Sequence, residues 1–178
     1  MKWIILLAYI ATIPAANYLI GNVGTVCVDN VCLIPVWPDL KAPSGVLMIG
    51  LAFVFRDLVQ RTFGIAWGLC CIFMGAIVSA SLSPPALVIA SVSAFVFGEL
   101  LDFAVYTPLQ KKGFVLAVAV SSVFASVVDS ALFLILAFGS MDFVIGQIVG
   151  KWISIFIATT ILFLARSLII KKTEGELK

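Results

Sequence analysis

Acidic and basic side chains interrupt the most apolar stretches of this sequence. The ones that fall well inside apolar runs are Asp57, Glu99, Asp102, Asp129 and Lys151. A charge at membrane depth costs about 2.5–3.5 kcal/mol even on the most lenient scale, so several of them in one small protein need a reason. The charges here can nearly neutralise one another, which is typical of an enclosed polar site between helices.

The spacing of these residues places them on common helix faces. Glu99 and Asp102 are three residues apart and Tyr106 follows Asp102 by four, so one face of a helix carries all three side chains. In a later stretch, Ser122 and Asp129 are seven residues apart and form part of a polar stripe along an apolar helix. The pattern predicts two helices that each turn a polar face towards a shared site.

Estimated depth divides the charges into two groups. At about 1.5 Å per residue, Asp129 and Lys151 lie roughly 13 Å and roughly 12 Å from the same membrane face, which predicts an ion pair. The inner half is predicted to hold Asp57, Glu99, Arg56 and Arg61. The candidate substrate-binding residues are Asn17, Asp57, Glu99, Asp102, Tyr106, Ser122, Asp129 and Lys151, with Arg56 and Arg61 as supporting charges.

Simpler structural roles remain open for some of these residues. Asp57 precedes Arg61 by four residues, so the two could form a salt bridge at a helix end. Asp102 lies near Lys111 in the sequence and could be an anchor at the membrane interface. Asn17, the amide of the first span, suits a hydrogen bond between helices as well as a contact to a ligand.

Composition excludes several classes of protein. The 178 residues are 63% hydrophobic and 11% charged, with a mean hydropathy of +1.23, whereas soluble domains are about 25% charged. A net charge of +2 without a basic face argues against nucleic-acid binding. The lack of histidine and of any phosphate-binding loop predicts no metal, no cofactor and no enzymatic activity. An intramembrane aspartyl protease needs two adjacent aspartates, but Asp102 and Asp129 are predicted at different depths.

Hydropathy predicts an all-α integral membrane protein, since a helix needs about 20 apolar residues to cross a bilayer. Six spans, at residues 3–20, 43–59, 64–80, 85–107, 113–138 and 143–170, make a single domain over residues 1–178. The first span could be a signal peptide, but it is long, its candidate cleavage site is poor, and five spans follow. Alternate connections are rich in basic residues, which places both termini in the cytoplasm and the protein in the inner membrane. These residues are Lys2, Arg56, Arg61, Lys111, Lys112, Arg166, Lys171 and Lys172.

The long connection after the first span is predicted to lie outside the cytoplasm and to contain a short β-hairpin. Two β-prone segments flank Asp29 and Asn30, which suit a two-residue turn. This pairing would place Cys27 opposite Cys32, where a disulfide could form on the oxidising side of a membrane. Two free thiols in a loop are the alternative.

A set of short motifs, in this order and spacing, resembles the VUT (vitamin uptake transporter) family, whose characterised members are queuosine-precursor transporters. The motifs are Ala16-Asn17-Tyr18-Leu19, the stretch from Asp57 to Gly64, the stretch from Gly98 to Tyr106, Ser121-Ser122 with Asp129-Ser130, and Lys151. The resemblance implies uptake of 7-cyano-7-deazaguanine or its aminomethyl derivative, a molecule related to tRNA modification. It also implies a fold similar to the substrate-binding subunits of energy-coupling-factor vitamin transporters.

Two further expectations concern partners. The connections offer little surface for an ATPase module, which favours a self-sufficient carrier, although a substrate-binding subunit that needs such a module is the alternative. The sequence leaves the oligomeric state open, and a homodimer is reasonable because six short helices enclose little volume. The expected partners are thus a small 7-deazaguanine and the lipid bilayer, with no nucleic acid.

Overall fold

Six helices make up most of the computed structural model, which describes residues 2–28 and 31–176, with side chains as far as residue 164 except that of residue 28. They are α1 (Lys2–Asn22), α2 (Val46–Phe63), α3 (Ile65–Leu82), α4 (Val88–Leu109), α5 (Phe114–Phe138) and α6 (Val144–Glu176). Each predicted span falls on one of these helices, and the prediction of a mostly helical chain is confirmed. The fourth begins late because a short 3-10 turn, Pro85–Leu87, precedes it.

Five of the helices in the described part of the chain, α1, α3, α4, α5 and α6, are long and apolar enough to cross a membrane. The sixth, α2, carries three charged residues, Arg56, Asp57 and Arg61. This helix contacts each of the other five, and Arg56 and Asp57 are buried among them. It can therefore be more polar than its neighbours, because they shield most of its length from lipid.

The surface is apolar and much of the polar chemistry is inside, the reverse of a water-soluble protein. Ile89 and Phe156 are 76% and 71% exposed, while Arg56 and Lys151 are 0% and 1% exposed. Lipid is the solvent that favours such a distribution, since it stabilises exposed hydrocarbon and penalises exposed charge. The chain is thus an integral membrane protein.

The connection between α1 and α2 forms a three-stranded antiparallel sheet of β1 (Val26–Val28), β2 (Val31–Trp37) and β3 (Leu40–Pro43). Cys27 pairs with Cys32 across the first two strands, and the two form a disulfide. The turn at Asp29 and Asn30 lies outside the described residues. The strand β3 was not predicted, because its pairing depends on contacts with β2 rather than on a local sequence pattern. The pairing of β2 with β3 is irregular between Pro35 and Trp37.

Contacts between helix ends show which connections share a face of the molecule. The ring of Trp3, at the start of α1, lies 5.4 Å from that of Phe63 and 6.0 Å from that of Trp67. Arg61 lies over the ring of Phe114, at the start of α5, with its guanidinium carbon 4.7 Å from the ring centroid. The start of α1 with Lys2, the end of α2 with Arg61, and the α4–α5 connection therefore lie on the same side of the molecule. The structure does not describe the side chains of Arg166, Lys171 and Lys172.

The close contact between α4 and α5 depends on the missing side chain of Gly98. A Cβ atom added there would lie 2.8 Å from the Cβ of Asp129. We expect Gly98→Ala to lower the midpoint of thermal unfolding, because overpacking by one methyl group costs about 1–3 kcal/mol. Gly21→Ala is the matched control: nothing lies within 4 Å of its added Cβ, so helix propensity alone should leave stability unchanged or raised. Equal effects of the two substitutions would contradict the close packing.

Candidate functional site

Arg56 lies at the centre of a buried polar group that joins α2 and α4. Its Nε donates to Glu99 Oε2 at 3.1 Å, its Nη1 donates to Gln60 Oε1 at 2.8 Å, and its Nη2 donates to Asp102. The same Nη2 lies 2.9 Å from Asp57 Oδ1. We call Arg56, Asp57, Gln60, Glu99 and Asp102 the Arg56 cluster; all five residues are buried.

The surroundings of the Arg56 cluster are partly polar and partly aromatic. Ser121 of α5 donates from its Oγ to Asp57 Oδ2 at 3.3 Å. The guanidinium carbon of Arg56 lies 5.7 Å and 5.8 Å from the ring centroids of Phe103 and Tyr106, within the range of a cation–π interaction. Within the described residues, several buried side-chain atoms have no hydrogen-bond partner: Asp57 Oδ1, Glu99 Oε1, Asp102 Oδ1, Tyr106 OH and Ser122 Oγ.

A second buried polar group joins α5 and α6. The Nζ of Lys151 donates to a carboxylate oxygen of Asp129, to Ser130 Oγ at 2.7 Å and to Gln147 Oε1 at 3.2 Å. An ammonium group has three N–H donors, so these contacts use all of them. The structure thus brings together the pair that estimated depth predicted.

Asp129 and Lys151 line a pocket with a volume of about 70 Å³. Its other polar side chains are those of Asn17, Ser79, Ser91 and Gln147. The apolar remainder includes Ile13, Ile20, Val46, Ile49, Phe95 and Phe133. The pocket therefore has a mainly apolar wall that also contains a buried ion pair and a few polar side chains, which is the arrangement expected of a site for a small organic molecule.

A larger apolar cavity of about 720 Å³ lies beside the sheet, among Val31, Leu33, Leu87, Phe138 and Phe143. The two cavities share Pro43 in their linings. An apolar cluster borders both of them, with Ile20 and Phe133 on the pocket side and Val31, Leu33, Leu87 and Ala137 on the other. We call the larger cavity the vestibule.

The structure divides the predicted site residues into groups. Asn17, Asp129 and Lys151 line the pocket. Asp57, Glu99, Asp102 and Arg56 form the separate Arg56 cluster and are not among the residues that line the pocket. Tyr106 and Ser122 are buried and lack hydrogen-bond partners for their hydroxyl groups among the described residues.

Three of the roles that the sequence suggested for charged residues are wrong. Arg61 does not support the buried charges, because its exposed side chain lies against the ring of Phe114. The ion pair of Asp57 is with Arg56, its neighbour in the sequence, rather than with Arg61. Asp102 is likewise fully buried against Arg56 and is not an anchor at the interface near Lys111.

Asn17 contributes to both packing and the pocket. Its Nδ2 donates to the Ile13 carbonyl oxygen at 3.0 Å, and its Oδ1 accepts from Ser83 Oγ at 3.0 Å. The second contact ties α1 to the end of α3, while the side chain still lines the pocket. The hydrogen bond between helices is therefore confirmed, whereas the contact of Asn17 with a ligand stays a prediction.

Sequence reasoning missed several polar residues of the site. Gln147 precedes Lys151 by four residues and Gln60 follows Arg56 by four, so each amide lies on the same helix face as a buried cation. That spacing was a usable signal. The sequence gives no comparable signal for Ser79, Ser91 and Phe133, which reach the pocket only because their helices meet there.

Comparison with known proteins gives one match. Residues 80–171, just over half of the chain, match the family model described as "Putative vitamin uptake transporter". No curated protein and no solved structure matches the chain. The expected likeness to the substrate-binding subunits of energy-coupling-factor transporters therefore stays a prediction.

Proposed function

This chain belongs to the vitamin uptake transporter family, and we propose that it imports a 7-deazaguanine precursor of queuosine, either 7-cyano-7-deazaguanine or its aminomethyl derivative. The substrate would bind in the pocket that Asp129 and Lys151 line. The observation that carries the proposal is this buried ion pair in a largely apolar wall. Charges at membrane depth are costly and commonly mark the path of a transported solute.

The chemistry of the pocket suits a flat base with a polar edge. The carboxylate of Asp129 would accept hydrogen bonds from the ring N–H and the exocyclic amine, a bidentate arrangement that a guanine-type edge provides. Asn17 would donate its second amide N–H to the carbonyl oxygen of the base, and Lys151 would donate to the same oxygen in exchange for one of its three present contacts. Phe95 and Phe133, which also line the pocket, would pack against the ring faces.

Binding requires the pocket to widen. A volume of about 70 Å³ is well below the roughly 300–1,000 Å³ of pockets that enclose small organic molecules. Transport by alternating access supplies such a change, since helices rock around a central site and open it to one side at a time. The apolar cluster of Ile20, Val31 and Leu87 would separate the pocket from the vestibule when the outer side is closed.

The proposal extends to the membrane in which the protein is located, its orientation there and its partners. We place the protein in the cytoplasmic membrane of the cell with both termini inside. The basic end of the molecule supports this orientation, as does the disulfide of Cys27 and Cys32 at the opposite end, where an oxidising compartment would favour it. A homodimer, with no nucleic-acid partner, completes the proposal.

The direct test is uptake of labelled 7-cyano-7-deazaguanine by proteoliposomes that contain the purified chain alone. We expect saturable exchange of labelled for unlabelled substrate, with competition by the aminomethyl derivative and by guanine to a smaller extent. Empty liposomes give the background.

Two outcomes would contradict the proposal in different ways. Exchange of a labelled vitamin but not of labelled 7-cyano-7-deazaguanine would retain the transporter and overturn the substrate. Binding of the labelled base without exchange would favour the alternative, a substrate-binding subunit that needs an ATPase module, and copurification with such a module would identify it.

A further inference from the structure

The Arg56 cluster contains more acid than base. Three carboxyl groups, those of Asp57, Glu99 and Asp102, surround one guanidinium, and each is at most 1% exposed. If all three were ionised, two negative charges would remain without a counter-ion in a dry site. Buried charges without partners are strongly unfavourable, and protonation is the ordinary way in which a carboxyl group avoids this state.

The hydrogen bonding of the Arg56 cluster also favours protonated carboxyl groups. Each of the three carboxyl groups has one oxygen without a hydrogen-bond partner among the described residues, and of these only Asp57 Oδ1 is in an ion pair, 2.9 Å from Arg56 Nη2. A carboxylate only accepts hydrogen bonds, whereas a protonated carboxyl group can also donate one. A protonated carboxyl group of the cluster would donate as well as accept, and Tyr106 OH and Ser122 Oγ, both buried and without partners there, are hydroxyl groups that can accept as well as donate.

No other described cation is in position to neutralise the cluster. The groups that act electrostatically on it from the surrounding helices are neutral or acidic: Tyr9 of α1, Cys71 of α3, Tyr106 of α4 and Asp129 of α5. Lys151 of α6 is held by Asp129, Ser130 and Gln147. Arg61 also reaches the neighbourhood of Tyr106, but its side chain is exposed and forms no ion pair with the carboxyl groups among the described residues.

A metal cation suits the cluster less well than a proton. The guanidinium of Arg56 lies among the three carboxyl groups, where a metal ion would have to be, and would repel it. Within the described residues, no group of three or more His, Cys, Asp or Glu side chains has an arrangement that could hold a metal.

The cluster is mechanically connected to the pocket through α4. Phe95 lines the pocket one turn before Glu99 on this helix. Gly98, next to Glu99, is the point where α4 touches Asp129 of the pocket. A movement of α4 that widens the pocket therefore also moves two carboxyl groups of the cluster relative to Arg56.

We propose that Asp57, Glu99 and Asp102 form a proton-binding site that couples uptake to an inward proton gradient. In each cycle a carboxylate oxygen takes up one H⁺ while the cluster communicates with the outer side and releases it on the inner side, with no electron transfer. The coupling rests on the transport activity proposed above, whereas the bound protons do not.

Infrared spectroscopy of the lipid-reconstituted protein near neutral pH, without any substrate, tests whether carboxyl groups of the cluster are protonated. We expect a C=O absorption from protonated carboxyl groups, reduced in at least one of the isosteric variants Asp57→Asn, Glu99→Gln and Asp102→Asn. Asp142→Asn, which changes an exposed aspartate, is the matched control and should leave the absorption unchanged. The absence of this absorption from the unsubstituted protein, or its persistence in all three variants, would overturn the proposal.

Proteoliposomes test the coupling. We expect an inward proton gradient to raise accumulation of labelled 7-cyano-7-deazaguanine several-fold above that at equal pH. In Glu99→Gln the ratio of gradient-driven accumulation to exchange should fall to about one-third or less of the unsubstituted value. Exchange without any response to the proton gradient, or accumulation driven by a sodium gradient instead, would overturn the coupling. A lack of exchange in the unsubstituted protein would refute the proposed function, and the infrared result would still decide whether the cluster holds protons.

Discussion

Replacing Lys151 by methionine is expected to lower uptake of the deazaguanine by at least about 100-fold. The Nζ of Lys151 holds Asp129, Ser130 and Gln147 in the wall of the pocket, and methionine removes all three contacts at similar length. Truncating one partner of a buried, hydrogen-bonded charge pair in a binding site costs about 2–5 kcal/mol of binding free energy, and the expected 100-fold loss corresponds to about 2.8 kcal/mol. Exchange in proteoliposomes at a fixed amount of folded protein measures the effect.

Controls separate a loss of binding from a loss of folding. Lys112→Met changes an exposed lysine in the α4–α5 connection and should leave uptake unchanged. The double variant Asp129→Leu with Lys151→Met has no unpaired charge, so its thermal stability should recover while uptake stays absent. Normal uptake by either the single or the double variant would show that the substrate does not use this pocket.

Replacing Arg56 by leucine is expected to produce the largest loss of stability in this chain. The guanidinium contacts three carboxyl groups and Gln60 at once, and leucine leaves those acids without their cation. We expect a loss of about 3–5 kcal/mol, the usual cost when a buried pair is broken. Arg56→Lys should restore only part of it, since an ammonium group lacks the planar fork that reaches several acceptors in fixed directions.

Acidification distinguishes electrostatic from packing effects in Arg56→Leu. The remaining ionised carboxylate can accept a proton, so stability lost at neutral pH should return in part as the pH falls. The midpoint of thermal unfolding in detergent, measured across pH, follows this change. Arg61→Leu is the matched control: it changes an arginine of the same helix that is exposed, and it should have little effect. A similar loss in both variants, or no response to pH, would contradict the role assigned to Arg56.

The helices were predictable because a lipid environment restricts the sequence strongly. A segment that crosses a bilayer must be long, apolar and helical, so hydropathy located the five apolar helices directly. The apolar first half of α2 was sufficient to locate the sixth, although this helix carries three charged residues. The first two strands were also predictable, since two β-prone segments flank a turn. The third strand, Leu40–Pro43, was missed because its pairing depends on contacts with β2 rather than on a local pattern.

The residue types and spacing thus determined that charged groups would be buried between helices, and even which residues would share a helix face. Only the tertiary structure decided how those groups pair. Arg56 forms ion pairs with Glu99 and Asp102, and it, rather than Arg61, is the partner of Asp57. Three of the buried acidic residues belong to the Arg56 cluster, whereas Asp129 lines the pocket. The physical reason is that spacing along one helix fixes only the direction in which a side chain points. The partner that the side chain meets depends on how neighbouring helices cross, and close approaches such as that at Gly98 determine this crossing.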